Sequence, residues 1–377
     1  MARNRNGWLQ ARLGSLCISG LLTVILMGIQ PAQAQAPGIT VSGNQLVTTS
    51  TGTLEGHSYA AGAPVVLRGV NLSGAEYACE TGTVWDTPQG NQSTIIEMMN
   101  NWHSNVVRVP LNEDCWLGIN GEPAAPLTVA QYQSGIVNFA NLANAAGMIV
   151  EVDLHFGSGG KCVPKTDNYP GLDQDHAPAF WQSVATTFKG NHSVIFNLIN
   201  EPHNSSEIPW SCYLNGGCKV SGKGCSWTVV GTQSVVNTVR ATGATNPIIV
   251  AGLNYSNDLS QWVSYVPTDS AKAIIAGAHV YFDGLGCEDS TCWTSEYGGI
   301  QNAGYPVVVD EFGDFKCSTE IDQLMDWGDG RSPQVGYWAW SFNPFSCSKG
   351  PSLIQDTAGD PTVPYGSDFQ AHLISVQ

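Results

Sequence analysis

The chain is poor in charge, and poorest in positive charge. Of its 377 residues only 12% are charged, and 15 Lys and Arg stand against 31 Asp and Glu, for a net charge of −16. A protein that neutralises nucleic-acid phosphates needs a basic face, so a polyanion binder is excluded. The charged share is about half the usual one while 42% of the residues are apolar, which excludes a disordered solvating chain and supplies a large core. No paired C-x2-C spacing marks a zinc site. No glycine-rich turn follows the first strand-like run to cradle a phosphate. No Ser/Thr/Pro linker, repeat or low-complexity tract divides the chain, and beyond the N-terminus no apolar run is long enough to span a bilayer.

The N-terminus differs from the rest. Arg3, Arg5 and Arg12 precede an apolar run from Leu13 to Ile29, and Pro31-Ala32-Gln33-Ala34-Gln35-Ala36 follows with the small-x-small pattern that signal peptidase requires. The run is shorter than the ~18 residues of a spanning helix and contains Gly14, Ser15, Ser19 and Gly20, which favours an export signal over residues 1–34 rather than a retained anchor. The mature chain is then expected outside the cell, or in the periplasm of a Gram-negative source, free of the membrane. Removing three arginines and no acid moves the charge from −16 to −19, and losing Cys17 turns eleven cysteines into ten. An even set in an exported chain reads as disulfides.

Residues 35–64 form a distinct N-terminal segment, in which Ile39 to Thr53 alternates apolar and polar residues around Gly43-Asn44, the pattern of a hairpin closing one end of the main domain. The main domain, 65–377, repeats short apolar runs at Val65–Asn71, Val106–Leu111, Met148–Phe156, Val194–Asn200, Pro247–Leu253, Ala273–Phe282, Pro306–Phe312 and Val335–Phe342. Between them lie segments with helical spacing: Ser93–Trp102, Thr128–Ala146, Ala177–Lys189, Gly231–Thr242 and Glu320–Trp327. Eight strands alternating with helices over this length predict an α/β fold, a (β/α)8 TIM barrel. A doubly wound open sheet is the runner-up.

In such a barrel the strand ends on the C-terminal face hold the site. Run four ends in Asn200-Glu201-Pro202 and run seven in Asp310-Glu311-Phe312-Gly313. Two carboxylates facing each other there can hydrolyse a glycosidic bond, one protonating the leaving oxygen and the other attacking the anomeric carbon. Either glutamate alone reads as readily as a solvated loop residue or an ion-pair partner. Their company changes this: Arg108 ends run two, His155 run three, His279 and Tyr281 run six, and Trp340 run eight.

That ordered set resembles the retaining glycoside hydrolases of family 5, whose two glutamates end strands four and seven. The likeness runs from about Val65 to Ile354, and Arg68-Gly69-Val70-Asn71 and Trp340-Ser341-Phe342-Asn343-Pro344 are also similar to bacterial cellulases of that family. The resemblance implies that Glu201 is the acid/base and Glu311 the nucleophile, with Arg108 and Tyr281 favouring the ionised form of Glu311. It implies that Asn200 bonds the sugar 2-hydroxyl, that His155 and His279 orient hydroxyls and carboxylates, and that Trp340 stacks on a sugar ring before the cleaved bond. For Arg108 a structural ion pair, and for the histidines a core or metal role, remain as the blander readings. Trp338 reads as core. Trp116, Trp210, Trp227 and Trp293, in loops after the strands, either line a groove or cap the fold's own clusters.

The expected activity is that of an exported endo-β-1,4-glucanase, a cellulase acting on β-glucan as a monomer without metal or organic cofactor. A β-mannanase or another β-glycan hydrolase on the same scaffold, and a carbohydrate-binding barrel without catalysis, are the alternatives. Since every cysteine falls after a strand-like run, the bridges are expected in the groove-forming loops as Cys79–Cys115, Cys162–Cys212, Cys218–Cys225, Cys287–Cys292 and Cys317–Cys347. Connectivity is not fixed by sequence, and the insert Ser205–Thr228 is the weakest part of this scheme.

Overall fold

A strand covered on both faces reads as an unbroken apolar run, and the runs become the staves of a closed barrel. The computed structural model describes residues 35–86, 91–157, 159, 170–203, 206–222, 225–284 and 286–377; the expected export signal lies outside them. The barrel strands are β1 (Arg68–Asn71), β2 (Val106–Asn112), β3 (Ile149–Phe156), β4 (Val194–Asn197), β5 (Ile248–Ala251), β6 (Ile274–Tyr281), β7 (Val307–Gly313) and β8 (Gly336–Ala339). They pair in sequence order, all parallel, and β8 closes on β1 with Tyr337, Trp338 and Ala339 opposite Arg68, Gly69 and Val70. At Gly69 a Cβ would lie 2.0 Å from the Val106 carbonyl oxygen, so only glycine lets β1 and β2 approach. The fold is the (β/α)8 barrel the periodicity predicts.

The five expected helices form as Gln92–Trp102, Val129–Ala145, Ala177–Phe188, Thr232–Ala241 and Asp322–Asp329. Val129–Ala145 opens on a reciprocal capping box between Thr128 and Gln131. Helices at Ser290–Asn302 and Tyr365–Ser375 were not apparent from spacing. The first carries two adjacent glycines, Gly298 and Gly299, which blur a helical pattern. Among the described residues no helix is long and apolar enough to cross a membrane.

The N-terminal hairpin pairs Ile39–Ser42 with Gln45–Thr48, turning at Gly43 with φ +60°, and Pro64–Val65 adds a third strand. Its Ile39 and Leu46 join Val106, Ile149, Ile195, Ile249, Ile275 and Val308, which lie at the strand starts, in one buried cluster. The hairpin therefore plugs the N-terminal end of the barrel and leaves the C-terminal end for chemistry.

Four described disulfides join Cys79 to Cys115, Cys212 to Cys218, Cys287 to Cys292 and Cys317 to Cys347. Three match the expected pairs. The pairs Cys162–Cys212 and Cys218–Cys225 are corrected, because Cys212 is bonded to Cys218. The helix Trp210–Asn215 runs straight into the strand Gly216–Gly222, which brings the two Cα atoms to 5.9 Å. Across the hairpin formed with Cys225–Val230, residue 225 faces Gly222 rather than Cys218. Cys225 is itself disulfide-bonded, and Cys162 lies outside the described residues.

The Cys79–Cys115 bridge spans 36 residues and joins the loop after β1 to the helix after β2. Closing a loop of that length restricts the unfolded chain, so replacing both cysteines by serine is expected to cost about 2–4 kcal/mol in urea unfolding. A midpoint equal to the parent's removes that role.

Candidate active site

The site is organised around a guanidinium that water does not reach. Arg108, on β2, is fully buried and touches five side chains. Its Nε donates to Glu151 Oε1 at 3.0 Å, Nη1 donates to Asn71 Oδ1 at 2.9 Å and Glu311 Oε2 at 2.7 Å, and Nη2 donates to Asn200 Oδ1 at 2.6 Å and pairs with Asp153 Oδ2 at 3.1 Å. Strand register explains the convergence: Arg108 stands opposite Asn71 on β1 and Glu151 on β3. Burial works against its charge, but Asp153, Glu311, Glu151 and Asp310 outweigh burial and hold the guanidinium protonated.

Glu311, on β7, receives a second donor, the Tyr281 hydroxyl, at 2.6 Å from Oε1. Burial, with Glu311 and Glu201 adding to it, keeps that phenol protonated. Glu201, just past β4, meets His279 Nδ1 at 3.0 Å from Oε1, and the same nitrogen lies 3.8 Å from Glu311 Oε1. His279 stands opposite Glu311 in the β6–β7 pairing. Burial drives its imidazole down to about 3, opposed by Glu311 and assisted by Arg108 and His155, so the neutral ring holds Glu201 by a hydrogen bond rather than a charge, with Glu311 close by. One oxygen of Glu201 and one of Glu311 lie within 4.8 Å of each other.

Above them opens a cleft of about 740 Å³ lined by Glu201, His279, Tyr281, Glu311, His155 and Trp340 together with Tyr255 and Phe315. Trp340 stacks on His155 at 5.7 Å and 14° between planes, which leaves an aromatic face at the cleft edge. His155 is held by Asp153 Oδ2 at 3.0 Å from Nδ1. Every predicted site residue is thus brought together: Glu201, Glu311, His155, Asn200, His279, Tyr281 and Trp340 at the cleft, and Arg108 beneath it. Trp338 is buried, its indole donating to Glu151 at 2.9 Å. The loop tryptophans Trp116, Trp210, Trp227 and Trp293 are all buried and cap the fold's own clusters.

Sequence reasoning missed two exposed cleft aromatics, Tyr255 after β5 and Phe315 after β7. Their signal is an aromatic residue in a polar loop directly after a strand. It also missed the lower layer, where Asn197 donates to Glu151 at 3.0 Å and to Asp310 at 2.6 Å. Those acids carry no mark in sequence beyond interrupting apolar runs.

The profile of the family described as cellulase (glycosyl hydrolase family 5) matches residues 58–344. The chain is 29% identical over 227 residues to an endoglucanase of Bacillus sp. (strain KSM-635), an alignment covering 58% of this chain and 20% of that protein. It is 25% identical over 323 residues to the mannan endo-1,4-beta-mannosidase of Streptomyces lividans, covering 83% and 68%. The chain spans about a fifth of the length of the first bacterial endoglucanases it matches. In fold it is similar to a beta-glucanase of Saccharophagus degradans, with a TM-score of 0.66 at 19% identity over 91% of this chain and 95% of that one.

The buried acids make stability depend on pH. Burial, partly offset by Arg108, lifts the Asp153 carboxyl to about 7, and burial also raises Glu151 and Asp310. The folded chain then holds protons that the unfolded chain releases near pH 4, so their contribution is complete below about pH 4 and is lost as pH rises towards 7. Asp269 and Asp329 act oppositely. Burial opposes their charge, but Arg240, and His372 with Arg68, hold them below the usual range, so their contribution is present above about pH 4 and lost in acid. The melting temperature is expected to peak near pH 4–5 and fall towards pH 8, with Asp153→Asn flattening the upper limb. A parent curve flat from pH 5 to 8 contradicts this.

Proposed function

Because the chain belongs to the cellulase family, glycosyl hydrolase family 5, we propose that it is a secreted endo-β-1,4-glucanase that cleaves internal bonds of cellulose-type glucans with retention of configuration. The observation that carries this reading is the approach of Glu201 and Glu311 to within 4.8 Å, oxygen to oxygen. Retaining enzymes keep their two carboxyl groups about 5–5.5 Å apart, whereas inverting ones leave about 6.5–9.5 Å for a water.

In this mechanism Glu311 attacks the anomeric carbon. Arg108 and Tyr281 already direct donors at its two oxygens, which aims the carboxylate without a reorganisation step. Glu201 delivers its proton to the leaving oxygen as the glycosyl–Glu311 ester forms, then takes a proton from the water that hydrolyses the ester. The neutral His279 holds the acid in place without adding charge. Asn200, with its oxygen committed to Arg108, directs its amide towards a sugar hydroxyl, a contact that strengthens as positive charge develops on the ring. The aromatic faces of Trp340, Tyr255 and Phe315 suit the C–H faces of sugar rings. The export-type N-terminus and the disulfides support action outside the cytoplasm.

A second reading, β-mannan hydrolysis, is favoured by the mannosidase likeness over most of the chain. Release of reducing ends from carboxymethylcellulose, mannan, laminarin and xyloglucan separates the two: activity on carboxymethylcellulose is expected, and activity confined to mannan overturns the glucanase reading. Glu311→Ala and Glu201→Gln are each expected to lower kcat by at least about 10³-fold on that substrate. If both variants hydrolyse at the parent's rate, the site is wrong.

A further inference from the structure

A second group of chemistry-bearing side chains lies outside the cleft. Glu113 opens the short helix Glu113–Leu117 immediately after β2, and Asp173 and His176 immediately precede the helix Ala177–Phe188 that follows β3. None of the three lines the catalytic cleft. Glu113 and Asp173 are wholly buried, and the His176 side chain is 23% exposed. His176 Nδ1 lies 3.4 Å from Asp173 Oδ1 and 4.0 Å from Glu113 Oε1, and one donor atom from each residue falls within 4.8 Å of the others.

Several polar atoms of this group have no conventional hydrogen-bond partner in the protein. The carboxyl groups of Glu113 and Asp173 meet each other, but no conventional donor reaches the buried oxygens of Glu113 or Oδ2 of Asp173, Nδ1 of His176 is likewise buried without a hydrogen bond, and outside the acid pair Asp173 accepts only from the backbone N–H of His176 at 2.6 Å. Glu151, by contrast, is equally buried but accepts from Arg108, Asn197 and Trp338. Burial raises Glu113 well above the ordinary carboxylate range, and the neighbouring Asp173 and Asp114 push it further. Two acids cannot both ionise there unless a cation joins them.

We propose that Glu113, Asp173 and His176 bind one first-row divalent metal ion, Zn²⁺ or Mn²⁺, as a staple between the segments that follow β2 and β3. Two carboxylates and an imidazole are a mixed oxygen and nitrogen donor set suited to such ions, whereas calcium favours six to eight oxygens. Bonds of about 2.0–2.2 Å set neighbouring ligand atoms about 3–4 Å apart, the spacing found around His176. The partly exposed imidazole gives the ion a way in and gives water access to the remaining positions. The two other three-donor groups among the described residues fit less well. Cys287 and Cys292 are consumed in a disulfide, and Glu201, His279 and Glu311 are committed to the cleft. The ion takes no part in the hydrolysis. It neutralises the paired acids and fixes two loops on the cleft-bearing end of the barrel, one of them already anchored by Cys115.

The test is calorimetric titration of Zn²⁺ and, separately, Mn²⁺ into the chelator-treated full chain, with thermal melts alongside. One ion per chain is expected, with a melting midpoint raised by about 5 °C at a hundredfold excess over Kd. Glu113→Gln and His176→Ala are each expected to weaken binding at least tenfold, while Glu311→Gln binds like the parent. Should Glu113→Gln fail to fold by circular dichroism, the comparison is made with His176→Ala alone, since His176 is partly exposed. No heat and no midpoint shift with either metal up to 1 mM overturns the proposal. So does binding that survives His176→Ala or is lost in Glu311→Gln, which assigns the ion to the catalytic carboxylates.

Discussion

A single buried guanidinium determines what the rest of the barrel mouth can be. Arg108 is surrounded by Glu151, Asp153 and Glu311, with Asp310 acting at longer range, so one fixed positive charge stands among four acids. Desolvating such charges costs several kcal/mol per ion, and the cost is recovered only if every donor finds an acceptor in good geometry. That condition is met because Asn71, Glu151 and Asp153 come from the strands flanking Arg108, while Asn200 and Glu311 reach in from across the mouth. Register, more than loop conformation, therefore sets the direction in which Glu311 points.

The same charge imbalance separates the two glutamates. Glu311 sits on the guanidinium and the phenol of Tyr281, both donors, whereas Glu201 faces a neutral imidazole. A protonated His279 would place a cation between the two carboxylates and weaken the distinction that the proposed mechanism draws between Glu311 as attacking anion and Glu201 as proton-delivering acid. Its burial beside Arg108 and His155 prevents that protonation. In the proposed mechanism the lower layer of protonated or hydrogen-bonded acids acts through His279 and Arg108, which it contacts, and lies beneath the cleft.

Much of this was legible because barrel geometry imposes a simple rule on sequence: apolar run, then a polar residue at its end. Glu201, Glu311, His155, His279, Tyr281 and Trp340 all follow it. Arg108 follows it less well, lying third in a seven-residue strand, yet it is the residue that binds the others. The disulfides of the β4 insert escaped because connectivity there depends on a six-residue helix turning into a hairpin, which spacing does not report. The loop tryptophans escaped for a different reason. An indole serves a sugar ring and a hydrophobic cap equally well, and its sequence neighbours do not say which.

The loop after β5 shows how far backbone conformation can hide a site residue. Asn254, Tyr255 and Ser256 all have positive φ, at 52°, 60° and 58°, without a glycine among them. Left-handed backbone costs such residues about 1–2 kcal/mol each, so a chain keeps three in a row only where its surroundings over-determine them. Here the Tyr255 N–H donates to the Pro202 carbonyl, the Ser256 hydroxyl to the Asn200 carbonyl, and the Asn257 amide to the His279 carbonyl. Tyr255 stacks on His203 at 4.6 Å, and His203 in turn contacts the Glu201 carbonyl at 2.9 Å. All these anchors lie on or beside the residues that carry Glu201 and its imidazole partner. The strained turn is thereby tied to the Glu201 segment, and the ring it presents to the cleft is placed by the same bonds that place Glu201.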